Sequence, residues 1–204
     1  MYVRDFRPSA DLADPRRTYP FASNLARKFI VPIYPAYHTE LLPDSILRTE
    51  SPDDFQENRP NRNAISKVYI SRSFERDLHT GDIIVFYRTA SGGSAYYTSV
   101  ATTFGIVQRV ISGIASAEAF LAACRRRSVF TNEELLKHWD YDKANRPFVV
   151  NFLYAYSFPR RPNLKELTER GIISTAPRGF SLLSDKAFNT LMEISDANQR
   201  LIIG

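Results

Sequence analysis

Hydrophobic and polar positions in this chain change period several times, and each change marks an element. Residues 63–70, Asn-Ala-Ile-Ser-Lys-Val-Tyr-Ile, alternate with a period of two: Ile65, Lys67 and Tyr69 fall on one face, Ser66, Val68 and Ile70 on the other. That period predicts a strand. The run from Lys28 to Tyr34 is apolar and β-branched and reads as a buried strand, with Pro32 marking an edge or a bulge. Gly81-Asp82 forms a turn into a third strand, Ile83 to Arg88. Beyond the flexible 91–94 connection, Tyr96 to Val110 predicts a fourth strand, with Gly105 at a bulge. The third and fourth strands should pair as a long antiparallel hairpin. Pro147 to Tyr156 predicts a fifth strand.

Helical signals lie between these runs. Pro35 to Ile46 predicts a short helix or turn broken at Pro43. Ala115 to Arg127 carries Phe120, Leu121 and Cys124 on one face and can be capped by Ser116 or Ser112. Thr131 and Glu134 have capping-box spacing and open a helix through Trp139. Asn163 should cap Leu164 to Arg170, with Gly171 just past the end, and Asp185 a last helix through Ile194. Thr49 to Arg62 reads as a long polar loop. Residues 1–27, broken by Pro8, Pro15 and Pro20, read as an N-terminal arm, leaving 28–204 as one domain. Strands and helices do not alternate as βαβ units. The expected class is therefore α+β, a small mixed, mainly antiparallel barrel with peripheral helices.

Composition narrows the chemistry. The 204 residues carry a formal charge of +5, which favours polyanions only weakly. Distribution is more telling: Arg125-Arg126-Arg127 and Arg160-Arg161 are dense clusters, and Arg59, Arg62 and Lys67 flank a third region. No window of 18 apolar residues exists and Met1 to Arg17 has no signal-peptide character, so a cytoplasmic protein without a membrane segment is expected. Cys124, the sole cysteine, sits in an apolar helical run and is expected to be a buried small hydrophobe.

Catalytic signatures are not apparent. The sequence holds no GxxxxGK[ST], GxGxxG or GxSxG motif, and its three histidines, His38, His79 and His138, lack metal-ligand spacing. The expectation is no catalytic residue, no metal and no cofactor. His79 and His138 should lie on the surface, whereas His38 follows Tyr34 and Tyr37 in a loop. Eleven Tyr and fourteen Phe stand out instead. Most Phe should be core, while Tyr at strand ends suits stacking on a base.

Five ordered segments carry a resemblance: Phe29 to His38, Leu42-Pro-Asp44, Asn63 to Tyr69, Gly81 to Arg88 and Thr103 to Val107, continued by Arg127 to Thr131 and the segment at Pro177. Together they resemble the PUA-like superfamily, most nearly the PUA-like domain found beside bacterial GNAT acetyltransferases, and more distantly EVE and YTH domains. The resemblance implies a small barrel that binds DNA or RNA through a base, such as a modified one, held in an aromatic-walled pocket. The sequence contains no acetyltransferase module, and its one tryptophan, Trp139, lies outside the barrel motifs. Any cage must then be built from Tyr, Phe or His.

The pocket implied lies between Tyr34–His38 and the strands around Asn63–Tyr69 and Tyr87-Arg88. Tyr34, Tyr37 and Tyr87 would stack on the base, with His38 and Tyr69 beside them. Asn63 and Ser66 would bond the base edge, and Lys67, Arg88 and Arg126 would meet phosphates. The rival reading is a protein-interaction module, the partner of a separately encoded acetyltransferase or a toxin.

Overall fold

The computed structural model describes residues 14–47 and 63–204. The expected loop at 49–62, with Arg59 and Arg62, lies outside the described residues, as do residues 1–13 of the arm.

The described strands are β1 (Ala22–Ser23), β2 (Lys28–Ile33), β3 (Ser66–Ser71), β4 (Ile83–Arg88), β5 (Val100–Ile111), β6 (Phe148–Ser157), β7 (Ser181–Leu183) and β8 (Ile202–Ile203). Among the described residues, six of them form one sheet in the order β3-β6-β5-β4-β2-β7. Its pairings are antiparallel except β2 with β4, which run parallel. The sheet is curled into a half-barrel, in agreement with the mixed, mainly antiparallel expectation.

Bulges produce the curl. The β5–β6 register shifts between Phe104 and Gly105 and again between Val107 and Arg109, and β4–β5 shifts between Phe86 and Tyr87. Each shift bends the strand and increases its twist. Gly105 is required at the first shift. A Cβ there would lie 2.6 Å from Cδ2 of Phe152 and 2.9 Å from the carbonyl oxygen of Leu153.

Alternation along each strand sorts side chains between two faces. Phe29, Val31, Ile84, Phe86, Phe152 and Phe180 fill the concave side. On the convex side, Ile83, Val85, Tyr87 and Phe104 meet α7 (Asp185–Ile194) through Phe188, Leu191 and Met192, and α6 (Leu164–Glu169) through Leu167. A third cluster packs Val68 and Val149 under α4 (Ala117–Cys124) and α5 (Asn132–Asp140), where Phe120 and Trp139 stack at 5.4 Å. Burying such rings supplies most of the driving force for layer packing.

Local signals account for most helix ends. The Ser116 side chain accepts from the Ala119 amide, and reciprocal capping boxes link Thr131 with Glu134 and Asn163 with Glu166. Gly171 follows α6 with φ of 67° and lets the chain turn away left-handed. Two boundaries differ from expectation. Ser184, not Asp185, caps α7, because its Oγ accepts from the Ala187 amide while Asp185 is already helical. Tyr96 and Tyr97 are not in a strand. They belong to the short helix α3 (Ala95–Thr98), held by amides of Tyr97 and Thr98 donating to the Ser94 carbonyl.

Residues 14–27 pack against the barrel. Asp14 caps α1 (Pro15–Thr18), and β1 pairs in parallel with β8. Ala22 is buried in the same cluster as α7. No described helix is long and apolar enough to cross a membrane.

Candidate functional site

The curled sheet stops short of closure, and the gap is the feature from which a site can be built. β7 covers β2 only along Lys28–Ile30, so the edge of β2 at Val31–Ile33 faces the edge of β3. Tyr69 bridges this seam: its hydroxyl donates to the carbonyl of Pro32 at 2.5 Å. A strand residue presents its amide and carbonyl on the same side, so the Pro32 ring stands where an amide would have no ladder partner. Further along, the Phe180 amide donates to Ser73 Oγ at 3.0 Å, and the Tyr69 and Phe180 rings meet edge to face at 5.7 Å. Burial pushes the Tyr69 hydroxyl pKa upward, which keeps it a neutral donor.

Over this seam lies a cleft of about 820 Å³, lined by four stretches of chain and by Thr89 just after β4. Its volume falls within the usual range of small-ligand sites, about 300–1,000 Å³. From α2 (Pro35–Leu41) and the residue capping it come Tyr37 and Tyr34. The segment after β3 supplies Arg72, Phe74 and Glu75, the α4–α5 connection supplies Phe130, and α5 supplies His138. Arg178 and Phe180 come from the approach to β7.

Four of these side chains form a continuous run of rings. Tyr34 meets Tyr37 at 6.4 Å, Tyr37 meets Phe130 at 4.5 Å, and Phe130 meets His138 at 4.5 Å. Tyr34 is 69% exposed and Phe74 97%, so each presents ring surface to solvent at the cleft margin. Burial lowers the His138 pKa, assisted by the charge on Arg72 and opposed by Glu134. His138 is therefore a neutral ring at pH 7 and can serve in a stacking wall. The Arg125–Arg127 turn is exposed and runs directly into Val129 and Phe130 of the cleft lining. Arg126 adopts φ of 63° there, a left-handed conformation uncommon for a residue with a Cβ.

Of the residues expected at the site, the structure brings Tyr34, Tyr37 and Tyr69 together in the cleft. Arg126 lies on the exposed turn that leads into the cleft lining, and the others fall elsewhere. Tyr87 and Arg88 are buried in β4, Tyr87 within the convex-side cluster and offering no ring face to a ligand. The whole of β4 is covered on both faces, which is why a strand-end position did not imply exposure. Lys67 is buried at the start of β3, and burial lowers its pKa to about 8 despite the opposing charge of Asp44. Ser66 pairs with the side chain of Gln108 at 2.9 Å. Asn63 is exposed ahead of β3, outside the cleft lining.

His38 is not in a loop. It lies on α2, fully buried, with Nε2 2.8 Å from Thr102 Oγ1. The Thr102 hydroxyl donates to the Phe86 carbonyl, so it accepts from His38, and Nε2 carries the proton. Burial, with Arg88 and Arg161 nearby, pushes the His38 pKa down to about 3. The Arg160-Arg161 cluster is engaged internally: Arg160 Nη1 donates to the Ile194 carbonyl and Arg161 Nη1 to that of Ile46. Cys124 is buried, and burial pushes its thiol up to about 12. Among the described residues, no three His, Cys, Asp or Glu side chains converge as a metal site would require.

Arg72, Phe74, Phe130, His138 and Phe180 were not anticipated. Phe130 and the Pro177 region fall within segments that carry the PUA-like resemblance, which is the signal that could have found them.

No family model and no curated protein sequence matches the chain. Solved structures do. The ASCH protein of Zymomonas mobilis superposes with a TM-score of 0.59 at 10% identity, covering 82% of this chain and 94% of that one. A point variant of the same protein gives 0.56 at 12% identity, covering 82% and 95%. Human THYN1, in complex with 5-methylcytosine containing DNA, gives 0.48 at 10% identity over 85% and 99%, too low a score to carry weight. The fold is thus the PUA-like one of ASCH domains, in agreement with the expected α+β barrel.

Proposed function

We propose that this chain is a non-catalytic nucleic-acid-binding module that takes one base of DNA or RNA, such as a modified base, into the cleft at the barrel seam. The observation that carries the reading is the run of rings Tyr34–Tyr37–Phe130–His138 beside the exposed Arg125–Arg127 turn. Aromatic rings stack on any base, each stack contributing about 1–3 kcal/mol. Exposed arginines contact phosphates and set position without reading sequence. The exposed turn leads directly into Phe130 of the ring run, an adjacency that suits one strand with its backbone along the arginine turn and one base turned inward. Resemblance to the GNAT-associated and EVE-type PUA-like domains points the same way.

The test is fluorescence anisotropy with short DNA and RNA, plain or carrying methylated or hydroxymethylated bases, at two salt concentrations. The reading expects binding that weakens with salt. It also expects Tyr37→Ala to remove base preference while leaving the salt dependence. Equal binding to every oligonucleotide, unchanged by Tyr37→Ala, would leave only a basic surface. No binding at all would overturn the reading in favour of a protein-interaction role with an acetyltransferase or a toxin. A changed oligonucleotide mass after incubation would overturn its non-catalytic part.

A further inference from the structure

Arg72 lines the cleft with two donors that have no acceptor. Its Nε and Nη2 are screened from water and make no hydrogen bond. These two nitrogens lie on one edge of the guanidinium and form the parallel fork that grips two adjacent acceptors. A buried donor without an acceptor costs free energy, so a whole fork left in this state asks for a ligand. The rest of the side chain is held in place. The guanidinium lies 5.1 Å from the Tyr141 ring, and the residue's carbonyl accepts from Asn145 Nδ2 at 3.0 Å. Glu75 lines the same cleft but does not engage the fork. The charges of Asp142 and Arg146 act on Arg72 in opposite directions.

Taking the base-binding reading of the cleft as its premise, we infer that Arg72 selects a base presenting two adjacent acceptors: guanine through O6 and N7, or cytosine through N3 and O2. The same fork would reject adenine, whose N7 and N1 each neighbour an amino donor, and uracil or thymine, whose N3–H sits between the carbonyls. Phosphate also offers two acceptors. The exposed Arg125–Arg127 turn is better placed for it, whereas Arg72 lies among the rings where a base would enter. Since water does not reach the fork in this conformation, a base engages it with a rotamer change of Arg72 or of its neighbours, an adjustment common on binding.

The experiment uses the full chain and four labelled adenine hexamers with guanine, cytosine, adenine or uracil at one central position, plus a hexamer abasic at that position. Guanine- or cytosine-centred hexamers are expected to bind about tenfold or more tightly than the adenine-centred one, the range of a bidentate base contact. Arg72→Lys, which keeps the charge and loses the fork, should bring that ratio close to one while residual, salt-sensitive binding persists. Thermal unfolding followed by circular dichroism checks that the variant folds. Discrimination that survives Arg72→Lys overturns the inference. Arg72-dependent binding of the abasic hexamer at full strength assigns the fork to phosphate and overturns it too. Binding without discrimination sinks this inference alone, whereas no binding to any hexamer sinks the base-binding reading itself.

Discussion

Acid should weaken this protein through one imidazole. His38 is 0% exposed, donates from Nε2 to Thr102, and has Arg88 and Arg161 as charged neighbours. A proton added at Nδ1 would find no acceptor and would place a third positive charge beside two others. Its folded pKa of about 3 lies below the unfolded value of 6.5. The stability it contributes is therefore complete above 6.5 and lost as pH falls toward 3. Between pH 7.5 and pH 5 the unfolded chain takes up this proton and the native state does not. The loss over that interval is about 2 kcal/mol, from 2.3RT multiplied by the distance of pH 5 from the unfolded pKa. His138, also lowered, adds a smaller loss of the same sign. The assay is urea unfolding at pH 7.5, 6 and 5 for the natural chain and for His38→Gln, whose amide nitrogen can replace Nε2 as donor to Thr102. The variant should lose about 2 kcal/mol less than the natural chain across the interval. Equal pH dependence in the two proteins would refute the reasoning, because it would mean that His38 charges in the native state at little cost.

Three further outcomes rest on single contacts. Tyr69→Phe removes the hydroxyl that spans the barrel seam to Pro32 and should cost about 1 kcal/mol by urea unfolding; no loss would mean that the seam holds through ring packing alone. Gly105→Ala forces a methyl against Phe152 and the Leu153 carbonyl, and should destabilise by about 1–3 kcal/mol, seen as a lowered Tm. Cys124, buried with its thiol held up to about 12, should react with a thiol-specific disulfide reagent only as fast as the protein unfolds. A prompt reaction under native conditions would contradict its placement under α4 and α5.

What could be read from the sequence is what short-range physics controls. Thr131 with Glu134, and Asn163 with Gly171, announce helix ends because a cap is a hydrogen bond or a backbone conformation within a few residues. The alternation from Ile65 to Ile70 correctly placed Tyr69 on the face opposite Val68 and Ile70. Gly105 signalled its bulge, and the resemblance carried the PUA-like fold. Exposure in β4 was not readable. Both faces of that strand are covered, so periodicity carries no information about Tyr87 or Arg88. His38 follows two tyrosines that reach the cleft, yet the step of about 100° from Tyr37 to the next residue of α2 rotates it into the interior beside Thr102. The cleft itself arises only when the curled sheet brings the edges of β2 and β3 together. That approach gathers Tyr34, Arg72, Phe130 and Phe180 from stretches of chain far apart in sequence, and no local pattern records which distant segments a curling sheet will make neighbours.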